Sequence, residues 1–259
     1  MITIKKQSEI EILEKGGKIL GSILKQVGEA AKPGVSTKFL DDLAEKLILD
    51  AGGVPSFKGY GDGNPFPATL CTSINHEVVH CVPKEDRILQ NGDIIGLDVG
   101  MRWPNNKTGL YTDCAITVPV GHVDRKILEL LDVTHGALQE AINFIKPGIF
   151  VNDIGEKIEK YVQSRGEYGI VRDLVGHGVG YKVHESPIIP NFKVYEKSEK
   201  LRPGMVLAIE PMINLGGHEI EFNDNGWDIV TSDKSISAHF EHTIVVTENG
   251  CKVLTNPDQ

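Results

Sequence analysis

The sequence predicts an α+β fold with pseudo-twofold symmetry, in which an antiparallel sheet is covered by two helix pairs. Three observations support this prediction. Stretches with helical periodicity alternate with short runs rich in β-branched residues. A unit of two helices joined by Lys-Pro-Gly occurs twice, and strand-like runs follow each copy. We therefore expect a single domain over residues 1–259, made of two related halves at about 1–120 and 121–259.

The first half opens with a predicted helix pair. Apolar residues recur at helical spacing from Ser8 to Ala31, and the chain then breaks at the Lys-Pro-Gly motif of residues 32–34. Ser36 or Thr37 is a suitable N-cap for a second helix, as short hydroxyl side chains are. The glycine pair at 52–53 ends that helix.

The second half repeats this pair. The Lys-Pro-Gly motif returns at residues 146–148, after a predicted helix from about Asp124 to Ile145. One shared tripeptide could arise by chance, but further positions align at the same offset and indicate an internal duplication. They are Leu40 with Ile154, Ala44 with Ile158, and Glu45-Lys46 with Glu159-Lys160.

Four acidic residues lie in or beside apolar, strand-like runs, two after each helix pair. An ionised carboxylate in a buried strand is costly unless it is paired or binds a metal. Taken singly, each has an ordinary explanation, since an Asp at a strand end is commonly a turn residue and a buried Glu can form a salt bridge. The four are Asp98 in IIGLDV, Asp113 opening the run CAITV, Glu210 in VLAIEPM, and Glu241 just before TIVV.

The duplication indicates that these four carboxylates belong to one site. A pseudo-twofold axis would bring the two pairs together, and four converging carboxylates would repel one another until some stayed protonated. Divalent cations would cancel that charge. We therefore predict a divalent-metal site formed by Asp98, Asp113, Glu210 and Glu241.

The segment LVGHGVGYKVHESP, residues 174–187, holds a further candidate ligand. Its glycines do not match a phosphate loop, because the Lys-Ser/Thr ending of a P-loop and the spacing of a dinucleotide fingerprint are both missing. Glycine there instead allows the backbone to approach a metal or substrate closely. His177 would add one nitrogen to an oxygen-rich set, which suits Mn, Fe, Co or Zn rather than a structural zinc site. Paired ions of this kind are typical of hydrolases.

The other histidines are interpreted according to the sequence segments in which they lie. His80, in NHEVVHCVP, and His184, in VHESP, lie near the candidate site segments and are predicted to be functional. His242 adjoins Glu241, which leaves its assignment open. The rest are interpreted as surface or core residues, namely His76, His122, His135 and His218.

Composition limits the class of protein. The formal net charge of −9 disfavours sequence-independent nucleic-acid binding, which depends on Lys and Arg. The four cysteines form neither a C-x-x-C pair nor a short disulfide framework, as expected in a reducing compartment. The N-terminal segment has no apolar signal-peptide core, and no apolar run approaches a membrane span. We expect a cytoplasmic protein that binds neither nucleic acid nor membrane.

With these residues assembled, the sequence resembles the type I methionine aminopeptidases over nearly its whole length. The resemblance rests on the segment around His80 and on the motifs GLDVG, YTDCAIT, GHGVGYKVHESP, LAIEPMI and NGWDIVTSDKSISAHFEHTIVVT, in that order. It implies one catalytic domain with the pita-bread fold and two divalent ions per chain, of Co, Mn, Fe or Zn. The implied ligands, with Asp113 and Glu241 bridging both ions, are Asp98, Asp113, His177, Glu210 and Glu241.

The resemblance also implies how the substrate is handled. Glu210 would act as catalytic base, and His80 and His184 would contact the substrate. The reaction would remove the N-terminal methionine from nascent proteins and peptides through a hydroxide activated by the two ions, with a small second residue preferred. Transient contact with the ribosome and a monomeric state are expected. The residues that fall in the family's methionine pocket are Phe57, Tyr60, Phe66, Cys71 and Trp227.

The chain departs from the family pattern at four places, none of which removes a ligand. Residues 103–107 enlarge the hairpin between Asp98 and Asp113, and residues 61–65 look inserted beside the pocket. Cys81 stands where the family usually has Gly, and His76 replaces an expected acidic residue.

Two other functions compete with that of a methionine aminopeptidase. A proline-directed peptidase of the same fold usually carries a separate N-terminal domain, whereas this sequence begins directly with the first helix pair. A non-catalytic binding protein that kept the fold would tend to lose ligands, and here all five are in place.

Overall fold

Four α-helices form two pairs, as the duplicated sequence predicts. In a computed structural model that describes residues 2–257, each pair packs together and covers part of one antiparallel sheet. Ser36 Oγ accepts a hydrogen bond from the Phe39 N–H, and an Asp124 oxygen accepts one from the Lys126 N–H, so both act as N-caps. The helices are α1 (Gln7–Ala30), α2 (Thr37–Asp50), α3 (Arg125–Phe144) and α4 (Val151–Arg165).

The strands are mostly short, and their pairings among residues 2–257 are antiparallel. The longest two, β4 and β5, form the hairpin that the sequence predicts to be enlarged. The strands are β1 (Val54–Pro55), β2 (Leu70–Ile74), β3 (Glu77–Val79), β4 (Ile94–Trp103), β5 (Leu110–Pro119), β6 (Gly169–Ile170), β7 (Gly176–Gly178), β8 (Glu185–Ile189), β9 (Val206–Ile209), β10 (Met212–Asn214), β11 (Ile220–Phe222), β12 (Ile229–Thr231), β13 (Ser237–His239), β14 (Glu241–Val246) and β15 (Cys251–Val253).

Strands from both halves of the chain meet in one large sheet. Its nine strands follow the order β1-β4-β5-β14-β9-β7-β8, with β2 paired to β4 and β15 paired to β14. Two three-stranded sheets, β13-β10-β6 and β11-β12-β3, lie beside it. Because β5 of the first half pairs with β14 of the second, the centre of the large sheet is where residues from the two halves come together.

Two acidic residues sit differently on their strands from the sequence-based expectation. Asp113 is predicted to open a strand, but β5 begins at Leu110 because the hairpin pairing continues up to Trp103. Asp113 is therefore an interior strand residue. Glu210 is predicted inside a strand, yet β9 ends one residue earlier, and Pro211, which lacks an N–H for the ladder, follows it.

Buried apolar side chains fill the space between each helix pair and the sheet. One cluster joins α3 and α4 to second-half strands, and another joins α1 and α2 to β2, β4 and β5. Helix α1 packs directly against the backbone of the C-terminal segment. A Cβ added to Gly17 would lie 2.4 Å from the Leu254 carbonyl oxygen, and one added to Gly21 would lie 2.1 Å from the Thr255 carbonyl oxygen, so glycine is needed at both positions. Within residues 2–257, no helix has the length and apolar character needed to cross a membrane.

Candidate metal centre and substrate cavity

Three neighbouring strands place acidic side chains on one face of the sheet. Asp98 on β4 and Glu241 on β14 both pair with Ala115, which lies between them on β5. Asp113 precedes Ala115 by two residues and therefore points to the same face. The small Ala115 side chain leaves space between Asp98 and Glu241. The three carboxylates consequently gather over the centre of the sheet.

His177 reaches this face from the other half of the sheet. On β7 it pairs with Ala208 of β9, which pairs in turn with Thr243, two residues after Glu241. Thr243 also fixes the backbone of Asp113: the Asp113 N–H donates to Thr243 Oγ1 (3.0 Å), and that hydroxyl donates to the Asp113 carbonyl oxygen (2.7 Å). The register therefore brings His177 and the acidic strands to one face.

The donor atoms lie close enough to share a cation. Single donor atoms of Asp113, His177 and Glu241 all lie within 4.8 Å of one another. Glu210, just after β9, places its Oε1 3.3 Å from His177 Nε2. Asp98 lines the same cavity as the other four residues. The five predicted ligands are thus brought together.

The carboxylates are buried with too few partners. Asp98, Asp113 and Glu241 are 8 %, 3 % and 3 % exposed, and one oxygen of each has no hydrogen-bond partner among residues 2–257. Burial, followed by the charge of neighbouring carboxylates, raises the pKa of Asp98, Glu210 and Glu241 well above the usual range. Burial also raises the pKa of Asp113 to about 7. Without a cation, the cluster therefore holds extra protons at neutral pH, as the sequence predicts.

The His177 imidazole is oriented to offer a lone pair. Its Nδ1 lies 2.9 Å from the Gly178 carbonyl oxygen, which can only accept, so Nδ1 carries the proton. Burial, followed by the nearby His184, lowers the pKa of His177 to about 4, and the ring is neutral near pH 7. Its Nε2 lone pair then faces Glu210 Oε1, and two acceptors at that distance repel unless Glu210 is protonated or a cation lies between them. These residues fit a divalent cation.

Two further predicted histidines border the cluster. The His184 ring centroid lies 4.4 Å from that of His177, and His184 Nδ1 lies 2.7 Å from the Tyr60 hydroxyl. His80 follows β3 with a left-handed backbone, φ 59°, which is costly for a residue with a side chain and is concentrated at functional sites. Burial lowers the pKa of both rings, that of His80 to about 4 with a smaller contribution from His184. Both rings are therefore neutral near pH 7.

Aromatic and apolar side chains line the rest of the cavity. Phe66 and Trp227 pack edge to face with ring centroids 5.2 Å apart, and Cys71 is buried beside them. The segment 61–65 lies against this wall, since a Cβ added to Gly61 would be 3.2 Å from the Trp227 ring. All the residues predicted for the site line this one cavity: Phe57, Tyr60, Phe66, Cys71, His80, Asp98, Asp113, His177, His184, Glu210, Trp227 and Glu241.

The sequence matches metallopeptidase family M24 over residues 11–248. The chain belongs to this family. The methionine aminopeptidase of Clostridium acetobutylicum is 43 % identical over 255 residues, which cover 98 % of this chain and 99 % of that protein. Methionine aminopeptidase 1 of Bacillus subtilis is 41 % identical over 255 residues, with 98 % and 99 % covered. This M24 chain is therefore a metal-dependent hydrolase that acts on peptides, and the expectation of an enzyme is confirmed.

Solved structures of other peptidases share the fold. The methionine aminopeptidase of Thermotoga maritima superposes with a TM-score of 0.93 at 41 % identity, covering 98 % of this chain and 99 % of that one. The prolidase of Pyrococcus furiosus gives a TM-score of 0.76 at 25 % identity, covering 97 % of this chain but 65 % of its own. The predicted pita-bread fold is confirmed, and a prolidase shares it.

Sequence reasoning missed one buried residue of this M24 site. His239 on β13 is 3 % exposed, and its Nε2 lies 3.7 Å from Glu210 Oε2 with no hydrogen-bond partner among residues 2–257. Burial, followed by His80, lowers the pKa of His239 to about 3, so the ring is neutral. The available signal was its place in the motif AHFEH, two positions before Glu241.

The remaining histidines lie outside the cavity lining. His242 follows Glu241 on β14 and points to the opposite face, where its Nδ1 lies 2.9 Å from Thr255 Oγ1. The assignment that the sequence left open is thereby decided against a place in the site. The residues interpreted as surface or core, His76, His122, His135 and His218, do not line the cavity either.

Proposed function

We propose that this metallopeptidase removes the N-terminal methionine from nascent proteins and peptides, with a preference for a small second residue. The observation that carries the proposal is the apolar wall of Phe66, Cys71 and Trp227 in the same cavity as the carboxylate cluster. A thioether side chain against that wall would place the first peptide bond beside the metal ligands. The full-length relatives named methionine aminopeptidases support the same conclusion.

The proposed cofactor is a pair of divalent ions, of Mn, Fe, Co or Zn, which Asp98, Asp113, His177, Glu210 and Glu241 would hold. The unpartnered oxygens of Asp98, Asp113 and Glu241 and the lone pair of His177 Nε2 support this donor set, and Glu210 completes it. When bound, such ions polarise the substrate carbonyl and lower the pKa of the attacking water towards neutrality.

Side chains of the protein carry out the proton transfers. Glu210 receives the proton of the attacking water on a carboxylate oxygen and passes it to the nitrogen of the leaving amine. The Tyr60 hydroxyl lies 2.7 Å from His184 Nδ1. With this hydroxyl as the donor, the ring proton of His184 is on Nε2, which donates it to the substrate carbonyl oxygen as negative charge develops there. His80 hydrogen-bonds the substrate backbone near the scissile amide.

The same cavity accounts for the proposed selectivity. The negative charge of the carboxylate cluster favours a substrate with a free α-amine. Hydrolysis is therefore restricted to the peptide bond after the first residue. His80 lines the cavity beside the carboxylate cluster, so a bulky second residue would be crowded there. The apolar wall would discriminate modestly among side chains of similar size, because one methylene contributes about 1–3 kcal/mol.

The substrate class is tested by offering the metal-reconstituted enzyme two peptides. We expect methionine to be released from a Met-Ala peptide, while an X-Pro dipeptide stays intact. Cleavage of the X-Pro peptide alone would identify a proline-directed peptidase. Absence of turnover on every N-terminal-Met peptide tried, with metal bound, would favour a binding protein.

The cellular setting is part of the proposal. We propose a single catalytic domain of two halves, since β5 and β14 join them in one sheet. It would act as a monomer in the cytoplasm, on chains emerging from the ribosome through transient contact. The net charge of −9 agrees with a protein that does not hold nucleic acid by itself.

Metal binding should release protons, and more at about pH 6 than at about pH 8. The raised pKa values of the four carboxylates mean that the metal-free cluster holds protons that a cation displaces, and Asp113, with a pKa of about 7, holds its proton only below that pH. His177 is already neutral above about pH 4 and contributes none. Calorimetry of Mn²⁺ binding in buffers of different ionisation enthalpy measures the release. Equal release at both pH values would contradict the assignment of Asp113.

Replacing Trp227 with alanine should lower kcat/KM for a Met-Ala peptide by about 10- to 200-fold, because the pocket loses an aromatic wall that contacts Phe66. Metal content should not change. Phe222→Ala is the matched control, because Phe222 is 66 % exposed and lies outside the cavity lining. Steady-state kinetics of the two variants measure the effect. Equal losses of kcat/KM in both would show that Trp227 is not part of the methionine pocket.

A further inference from the structure

A buried lysine lies beneath the loop that carries His184. Lys5 belongs to the segment before α1 and is 3 % exposed. Its Nζ lies 2.8 Å from Glu185 Oε2, and the two side chains are 1 % and 8 % exposed. Its backbone N–H donates to the Gly204 carbonyl oxygen at 2.8 Å, so the lysine is fixed at both ends. A buried ion pair of this kind persists only when its other polar groups are satisfied as well.

Glu185 uses both oxygens to hold the loop between β7 and β8. Its Oε2 accepts from Lys5 and from the Thr3 hydroxyl (2.6 Å), and Thr3 also contacts Lys5 Nζ. Its Oε1 accepts from the backbone N–H groups of Tyr181 and Lys182. Burial alone would raise the pKa of Glu185, but these hydrogen bonds outweigh it and lower the pKa, so the carboxylate is ionised near pH 7.

The loop also wraps around the Lys5 side chain. Lys5 Nζ lies 4.4 Å from the centre of the Tyr181 ring, whose hydroxyl donates to Glu9 at 2.8 Å. Gly180 has φ 137°, and a Cβ there would lie 2.4 Å from Lys5 Cε. Only glycine therefore allows the loop to close this tightly over the lysine.

The Lys5–Glu185 pair is connected to the active site through His184. His184 directly precedes Glu185, and it makes the contacts with Tyr60 and His177 described above. Lys5 does not line the cavity that holds the metal ligands, whereas Glu185 borders the adjoining pocket that His177, His184 and Glu210 also line. Thr3 and Lys5 of the N-terminal segment thus contact the residue next to His184.

We propose that Lys5 and Glu185 are positioning residues, which hold His184 in place over the metal centre. The inference rests on the proposed function, since His184 is the group they position. A loop with a lone buried charge would shift, and displacement of a catalytic group by about 1 Å can cost about 100-fold in rate.

The experiment compares Lys5→Met with Lys252→Met. The control removes a lysine that pairs with Glu14 at 2.7 Å on the surface. On a Met-Ala peptide, Lys5→Met should lower kcat by about 10- to 100-fold with unchanged KM and metal content, Lys5→Arg should restore part of it, and Lys252→Met should match the parent chain. In a His184→Ala background, Lys5→Met should have little further effect, because the two changes act on one group.

A second readout needs no activity. In the metal-free protein, the imidazole NMR signals of His184, identified by their loss in His184→Ala, should shift in Lys5→Met while those of the distant His122 do not. Should Lys5→Met not fold, Lys5→Met/Glu185→Gln leaves no lone charge and takes its place. Unshifted His184 signals, or a kcat loss of the same size with and without His184, would overturn the proposal. Shifted signals in a chain that releases no methionine would overturn the proposed function instead.

Discussion

Replacing His177 with alanine should weaken divalent-metal binding by more than about 100-fold and abolish methionine release at micromolar metal. His177 is the nitrogen donor of the proposed set, and its Nε2 lies 3.3 Å from Glu210 Oε1. Even residues that merely support a metal ligand change affinity by about 10- to 100-fold, so loss of a direct donor should exceed that. Calorimetric titration with Mn²⁺ and the Met-Ala peptide assay measure the two effects.

The matched control for this variant is His218→Ala. His218 has a side chain that is 41 % exposed and lies outside the cavity lining, so its removal should leave metal affinity and rate unchanged. Unchanged metal affinity in His177→Ala itself would show that His177 is not a ligand.

Replacing His184 with alanine should lower kcat by about 100- to 1000-fold while metal content stays normal. That size is typical for the loss of one donor to a developing oxyanion. His184 is not in the donor set, so metal analysis separates this variant from His177→Ala. Steady-state kinetics and metal analysis on the same preparation provide both numbers.

Tyr60→Phe gives a graded companion to that variant. It keeps the ring that packs edge to face on His184 and removes only the hydroxyl 2.7 Å from His184 Nδ1. The loss in kcat should be smaller than in His184→Ala. Full turnover in His184→Ala with normal metal content would remove His184 from the mechanism.

The fold and the clustering of the acidic residues could be predicted because their signals are local. Helical periodicity and the repeated Lys-Pro-Gly motif define the helix pairs, and the caps at Ser36 and Asp124 mark where two of them begin. An acidic residue in an apolar run is visible without a structure, since its burial is costly unless a cation compensates. The convergence of Asp98, Asp113 and Glu241 follows once Ala115 is seen to pair on both sides.

Other parts of the site depend on contacts between distant parts of the chain. Lys5 and Glu185 are 180 positions apart, and no local pattern pairs them. His239 was missed because its burial against Glu210 depends on how β13 and β10 pair. The strand position of Asp113 was misjudged because the β4–β5 hairpin pairs further towards its turn than the apolar pattern indicates.

The M24 fold does not by itself decide the substrate. A prolidase shares it at a TM-score of 0.76, so the fold is compatible with more than one peptidase specificity. The proposal for methionine depends on what surrounds the carboxylates, namely the wall formed by Phe66, Cys71 and Trp227.

The most direct test of the metal centre is a titration in which metal content and methionine release are measured on the same samples. Divalent metal is added back to chelator-stripped protein, and a Met-Ala peptide reports activity. We predict no release without metal, a rise with each increment bound, and saturation at two ions per chain, with Glu241→Gln failing to reach that plateau. Full methionine release by the metal-free protein would contradict the account.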